Sequence, residues 1–280
     1  MAWQSYKVKE QVKIERLYSL FKRHFDKGHH FLGEMHDFWE AVYVIDGEVI
    51  ISADENIHNF KSGDIIFHKP LELHKFNVVG DDGATLLVFS FTMSGELCKK
   101  MERQAFHLDK YGRSIIKSFL HFLELEQEKH PEAQMGITFL NFHTVYSQDE
   151  IFLHTVSLYI SSIILSLAGG TNTLSKTKTH ETELFKQALV IMNERIAEQI
   201  SVNELAEKLN ISESSLKRLF DKYAGMSVHK YFLSLKIKTA TLMLKGGQSV
   251  SEVSDALGFS SQGYFSATYK RETGNNPSQI

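Results

Sequence analysis

The sequence predicts an α+β chain of two domains, an antiparallel β barrel with a helical segment attached and then an all-α domain. Three observations predict it. Short β-branched and aromatic runs separated by turn residues fill the stretch from Trp39 to Phe91, and helical periodicity takes over after Ser94. A pattern at Val202 to Ile211 then returns 48 positions later at Val250 to Phe259. With 280 residues, 42% of them apolar, the chain has enough material for two full cores.

The N-terminal region interleaves Lys7, Lys9, Glu10, Lys13 and Glu15 with its apolar residues, unlike a secretory leader. The single Cys98 makes neither an intrachain disulfide nor a thiolate metal site, so a cytoplasmic location is expected. Strands are expected at Ala41–Ile45, Val49–Ser52, Ile65–Phe67, Phe76–Val79 and Leu86–Phe91. Asp46-Gly47 reads as a hairpin turn between the first two, with Gly63-Asp64 and Asp81-Asp82-Gly83 punctuating the others. Helical spacing follows at Ile115, Ile116, Phe119, Leu120, Phe122 and Leu123, then from Ile151 to Leu167. Ile151 to Gly170 carries no Asp, Glu, Lys or Arg and is long enough to cross a bilayer. Its scattered His154, Thr155, Ser157, Ser161, Ser162 and Ser166 favour a buried or dimer-forming helix over a membrane span. A stretch poor in apolar residues around Gly169 to Thr179 reads as a linker. The expected boundaries are therefore a barrel at 1–98, a helical bridge at 99–170, a linker at 171–180 and an all-α domain at 181–280.

The repeat gives the second domain its meaning. Each copy opens on a capping serine, Ser201 or Ser249, runs one short helix, and turns through Asn210 or Gly258, residues that tolerate a left-handed backbone. Ser212 or Ser260 is expected to cap a second helix, and the small Ala206 and Ser254 let the two helices approach. Leu216, Leu219, Phe220 and Tyr223 form the inward stripe of one second helix, with Phe265, Thr268 and Tyr269 in the other. Matching Phe220 to Tyr269 raises the offset to 49, so the second copy holds one extra residue at that helix's entry. Val228 to Leu244 connects the copies, with Phe232, Leu235, Ala240, Leu242 and Leu244 expected to pack on both. The whole chain has net charge -3, but Ser212 to Lys245 holds seven Lys or Arg against two acids. A duplicated helix-turn-helix with a local basic excess predicts double-stranded DNA as partner.

Gly258-Phe259-Ser260, Tyr264-Phe265, Tyr269-Lys270-Arg271-Glu272, Gly274 and Pro277 resemble the signature of AraC-type (AraC/XylS) transcriptional regulators. The resemblance covers the last hundred residues, with Asn276 and Gly263 departing from the usual residues. It implies that each second helix enters a major-groove segment. The base-edge candidates are then Glu213, Ser214, Ser215, Lys217 and Arg218 in unit one, and Ser261, Gln262, Gly263 and Ser266 in unit two. Lys217, Lys222, Lys270 and Arg271 are expected phosphate anchors.

Upstream, Gly28 to Glu40 with Gly47 resembles the first motif of cupin barrels, Glu34 standing where that family has its first histidine. Gly63-Asp64, Pro70 and His74 resemble the second. The resemblance implies a small jelly roll with a central cavity. His36, Trp39, Glu40 and His74 are the expected contacts for a small-molecule effector. Read as chemistry, Glu34, His36, Glu40 and His74 offer two imidazoles and two carboxylates, an alternative set for a divalent metal. Phe38, Trp39 and Tyr43 supply aromatic faces suited to sugar rings, although alternation puts Trp39 and Glu40 on opposite sides of one strand. No cofactor motif or catalytic triad accompanies these groups, so an enzyme is not expected, a cupin enzyme fused to a docking module being the alternative. The resemblance further implies an activator, carbohydrate control, a homodimer formed by the helical segment, and RNA polymerase as a partner.

Overall fold

The computed structural model describes residues 3–280 except 32, 55, 103, 104, 130–145, 147, 170–173 and 175–178. Most of the expected linker at 171–180 lies outside the described residues. Seven strands come first: β1 (Lys13–Phe25), β2 (Trp39–Ala53), β3 (Asn56–Lys61), β4 (Asp64–His68), β5 (His74–Val78), β6 (Ala84–Ser94) and β7 (Ala105–His107). One layer runs β1-β6-β2-β4-β7, and in the other β3 and β5 flank the second half of β2.

β2 belongs to both layers. Asp46-Gly47, a hairpin signal in sequence, lies inside this strand, paired with Thr85 and Ala84 of β6. A register shift between Val44 and Asp46 marks a bulge there, and such bulges bend a strand. Gly47 has φ +84°, and a Cβ at that position would sit 2.2 Å from the Gly83 carbonyl oxygen. The glycine is thus required by close approach of β6 rather than by a two-residue turn.

Alternation along β2 separates two cores. Trp39, Ala41 and Tyr43 face the helices, packing with Phe67, Phe89 and Phe91. Val42, Val44, Val49 and Ile51 face the interior with Phe60, Leu86 and Val88. β1 is absent from the expected strands because Lys13, Glu15, Arg16, Lys22 and Arg23 break its apolar pattern. Those charges suit its position at the edge of a sheet. β7 pairs with β4 at Asp64–Ile66, so the sheet extends past the expected boundary at residue 98.

α1 (Cys98–Met101) precedes β7, after which α2 (Lys110–Lys129) and α3 (Glu150–Ala168) cover the first layer. Asp149 caps α3 by accepting from Phe152 N–H at 2.8 Å. Phe119 and Leu123 of α2 and Phe152, Val156, Ile160, Ile163, Ile164 and Leu167 of α3 are buried within the chain. The apolar faces expected to join subunits are therefore already used inside the monomer, each buried side chain contributing about 1.5–3 kcal/mol. Ile151, Leu158 and Leu165 of α3 remain exposed, one every seven residues.

The all-α domain comprises α4 (His180–Glu194), α5 (Val202–Lys208), α6 (Glu213–Ala224), α7 (Val228–Lys245), α8 (Val250–Ala256) and α9 (Gln262–Thr273), closed by a short 3-10 turn at Pro277–Gln279. Ser201, Ser212 and Ser249 accept backbone N–H bonds as helix caps. For α9 the cap is Ser261, not Ser260, because the extra residue of unit two falls just before it. Asn210 (φ +53°) and Gly258 (φ +65°) make the left-handed turns. Unit one packs as one core with the first half of α7, and unit two as another with the second half. Leu242, expected to pack, is 56% exposed.

Candidate nucleic-acid interface and ligand cavity

The inward stripes leave one face of each second helix free. In α6, Leu216, Leu219, Phe220 and Tyr223 are buried, while Ser214, Lys217 and Arg218 are exposed and Glu213 and Ser215 are half-buried. In α9, Phe265, Thr268 and Tyr269 are buried; Gln262, Gly263, Lys270 and Arg271 are exposed, Ser261 is the exposed cap, and Ser266 is half-buried. The candidate base-edge and phosphate residues thus share the outward faces. Several carry internal partners: Lys217 pairs with Glu213 at 2.9 Å, Lys222 with Glu181 at 2.5 Å, and Arg271 with Glu272 at 2.9 Å. The Lys222 ammonium, with the Tyr223 hydroxyl, holds the Glu181 carboxyl below the usual carboxylate range.

The local basic excess is smaller in space than in sequence. Lys238 is paired with Asp54 of the barrel at 2.7 Å and Lys245 with Asp37 at 3.5 Å. Lys236 is only 5% exposed and donates to the carbonyl oxygens of Glu198 (3.0 Å) and Leu257 (2.8 Å). Its ammonium also sits over the rings of Phe232 and Phe259, at 5.1 and 5.6 Å. Burial pushes the Lys236 pKa down. Sequence reasoning counted it among surface bases, yet its place between two core residues, Leu235 and Ile237, is the signal that marks it as internal.

Inside the barrel a cavity of about 290 Å³ is lined by Phe21, Phe25, Phe31, Phe76, Val42, Ile51 and Val88, with Arg23, His29, Glu34, Glu40, His68, His74 and Lys75 as its polar groups. Glu34, Glu40 and His74 meet there with His36, their ligand atoms all within 4.8 Å of one another. Trp39 is turned into the core under the helices, so alternation excludes it from the cavity, and Tyr43 follows it. Phe38 stacks on His36 at 3.9 Å and on Tyr18 at 4.1 Å instead. Phe21, Arg23 and Phe25 went unforeseen because their strand, β1, has no apolar alternation.

The cluster's electrostatics follow from burial and pairing. His74 Nε2 lies 3.2 Å from Glu40 and 3.6 Å from Glu34. Burial alone would disfavour its charge, but these carboxylates outweigh it and raise the His74 pKa to about 10. Burial would likewise raise Glu40, yet His36 and His74 hold its carboxyl well below the usual range. Ser90 donates to Glu40 at 3.0 Å. His68 stacks on His74 at 4.2 Å and bonds Glu72 at 3.0 Å, both fully buried. Burial keeps His68 well below its ordinary value and pushes Glu72 up to about 7.

The cavity wall touches the all-α domain. Lys75 donates to Asp221 O at 2.7 Å and Asn77 to Lys222 O at 3.2 Å, both carbonyls in the last turn of α6. Ile57 and Leu73 of the barrel enter the core of unit one.

Comparison with known proteins gives the two halves their identity. A model of the AraC-like ligand binding domain matches residues 21–110, and a model of a helix-turn-helix domain matches 205–280. The chain is 22% identical over 258 residues to the Msm operon regulatory protein of Streptococcus mutans, covering 91% of this chain and 88% of that one. It is 20% identical over 253 residues to the transcriptional activator RhaR of Mannheimia succiniciproducens, covering 87% and 84%. An AraC-type DNA-binding domain structure from Chromobacterium violaceum is 31% identical over 35% of this chain and 88% of its own, with TM-score 0.34. ToxT from Vibrio cholerae is 11% identical, covering 96% of this chain and 95% of its own, with TM-score 0.38. The matched relatives are transcription regulators rather than enzymes. With a ligand-binding domain ahead of its helix-turn-helix domain, the chain belongs to the AraC family of transcription regulators.

Proposed function

We propose that the protein binds two successive major-groove segments of double-stranded DNA through α6 and α9, under control of a small molecule held in the barrel cavity. The observation that carries this reading is Lys75. It lines the cavity and donates to the last turn of α6, so a ligand that favours one position of β5 favours one placement of the recognition helix. Arg218 and Gln262 are the proposed base readers, contacting guanine and adenine, and Lys217, Lys222, Lys270 and Arg271 the proposed phosphate contacts.

A carbohydrate fits the cavity chemistry. Glu34, Glu40, His36 and His74 accept from and donate to hydroxyls, while Phe21, Phe25, Phe31 and Phe76 supply apolar faces. Activation, with RNA polymerase as partner, is supported by the likeness to RhaR, named a transcriptional activator. A homodimer is supported by the exposed Ile151, Leu158 and Leu165, and a cytoplasmic location by the DNA-binding role.

One observation favours a second reading, a divalent metal as the effector. His36 Nδ1 is 3.0 Å from Phe38 O and His74 Nδ1 is 3.0 Å from Glu72 O. A carbonyl accepts only from N–H, so each ring turns Nε2 toward the carboxylates, and neither Nε2 has a partner in hydrogen-bond geometry. Thermal unfolding of the full chain with a panel of monosaccharides, and separately with zinc or manganese, tests both. The carbohydrate reading expects stabilisation by one sugar that Glu40→Gln removes; a response to metal alone selects the second reading. No response to either overturns control from the cavity.

A further inference from the structure

The two helix-turn-helix units have separate cores that share little beyond α7. Val228, Phe232 and Leu235 at its start belong to unit one, and Ile237, Ala240 and Leu244 to unit two. Lys236 stands where the helix passes from one core to the other. Its ammonium ties the chain before unit one to the end of α8, and Gly258 rests against Ala197, where a Cβ would meet the carbonyl oxygen at 1.8 Å. Among the described residues, two apolar side chains pack against both cores: Ile196, from within this domain, and Met35, from the barrel.

Met35 is held by the cavity's own wall. Glu34 exchanges both backbone bonds with His74, at 3.0 and 3.1 Å, so this stretch is paired like a strand with β5. Alternate side chains of a paired strand leave on opposite sides. Glu34 and His36 join the cavity cluster, and Met35 between them packs against the junction of the two units. An unbranched, polarisable side chain suits a gap bounded by two bodies.

We propose that Met35 is a positioning residue for DNA recognition, a wedge from the barrel that sets the offset between α6 and α9. Without it the units keep their separate cores and pivot about Lys236. With it they present two recognition helices at one spacing. The wedge rests on the two-groove reading of DNA given above and requires no ligand in the cavity.

The test uses the full chain, wild type, Met35→Ala and Met35→Leu. The wild type first selects its preferred duplex from a random-sequence pool. All three proteins are then titrated, at one salt concentration, against that duplex and against the same duplex with one base pair inserted between its two boxes. The insertion displaces the second box by about 3.4 Å along the axis and about a tenth of a turn. Wild type and Met35→Leu are expected to lose about 50-fold on the inserted duplex, and Met35→Ala about fivefold or less. Loss of stability alone lowers the active fraction on both duplexes and leaves the ratio unchanged. Should Met35→Ala lack a cooperative thermal transition, Met35→Gln takes its place with the same two outcomes. A folded variant with the wild-type ratio overturns the wedge alone. A wild type that tolerates the insertion, or selects a single box, overturns the wedge and the two-groove reading together.

Discussion

The two helix-turn-helix units share a sequence pattern but not an environment. Unit one is docked: barrel residues Ile57 and Leu73 enter its core, and Lys75 and Asn77 hold the last turn of α6. Unit two meets the barrel without any barrel residue in its core, through Met35 at its edge and, on the second half of α7, the Asp54–Lys238 and Asp37–Lys245 pairs. The same motif is thus a fixed head in one copy and an outlying arm in the other. The difference teaches that, under the control proposed above, a shift of β5 would act on α6 directly and on α9 only through α7 and the Met35 contact.

The largest expected effect breaks the comparison at the turns. Gly258→Ala places a Cβ 1.8 Å from Ala197 O at φ +65° and should cost about 3–5 kcal/mol. Asn210→Ala, whose left-handed turn already carries a side chain, should cost only about 1–2 kcal/mol. Thermal or urea unfolding of the two variants measures the gap.

Lys236→Met should cost about 2–4 kcal/mol by leaving the Glu198 and Leu257 carbonyls unpaired. Its signature is a second unfolding step as unit two melts apart from unit one. A single transition at the wild-type temperature would show that the ammonium ties nothing.

The DNA contacts sharpen the comparison. Arg218→Ala and Gln262→Ala should each relax preference at one base pair by about 1–3 kcal/mol, at positions about one helical turn apart. Titrations against single-base variants of the selected duplex read both. Unchanged preference for either protein removes that side chain from base reading.

The docked barrel adds a test by pH. Glu72 has its pKa raised from 4.5 to about 7 by burial. A raised acid favours the folded state while protonated, so this contribution fades as pH rises from about 4.5 to 7 and is gone above. The stability of Glu72→Gln relative to wild type should therefore increase across that window and level off beyond it. A constant difference would place the titration elsewhere.

Legibility in the sequence followed the strength of local periodicity. The paired helices, their serine caps and the left-handed turns at Asn210 and Gly258 are written in residues whose reasons are local, so the all-α domain was readable almost to its caps. The exception, Ser261 in place of Ser260, came from a one-residue insertion whose site the offset bounded but did not fix. The barrel was half-readable. Alternation placed Glu40 and Trp39 on opposite faces, but charged β1 hid Phe21, Arg23 and Phe25 from the cavity. Asp46-Gly47 misled because a bulge and a hairpin use the same residues. Lys75 and Met35 were out of reach because their meaning lies in contacts between segments far apart in the chain, whereas Lys236 carried a local mark in its two core neighbours, Leu235 and Ile237.

The central claim is that α6 and α9 grip consecutive major-groove segments of one duplex. Hydroxyl-radical footprinting of the full chain on its selected duplex tests it most directly. The account predicts two protected tracts with centres about 10 bp apart, the first weakened by Arg218→Ala and the second by Gln262→Ala. A single protected tract, or two that respond to the same substitution, would contradict it.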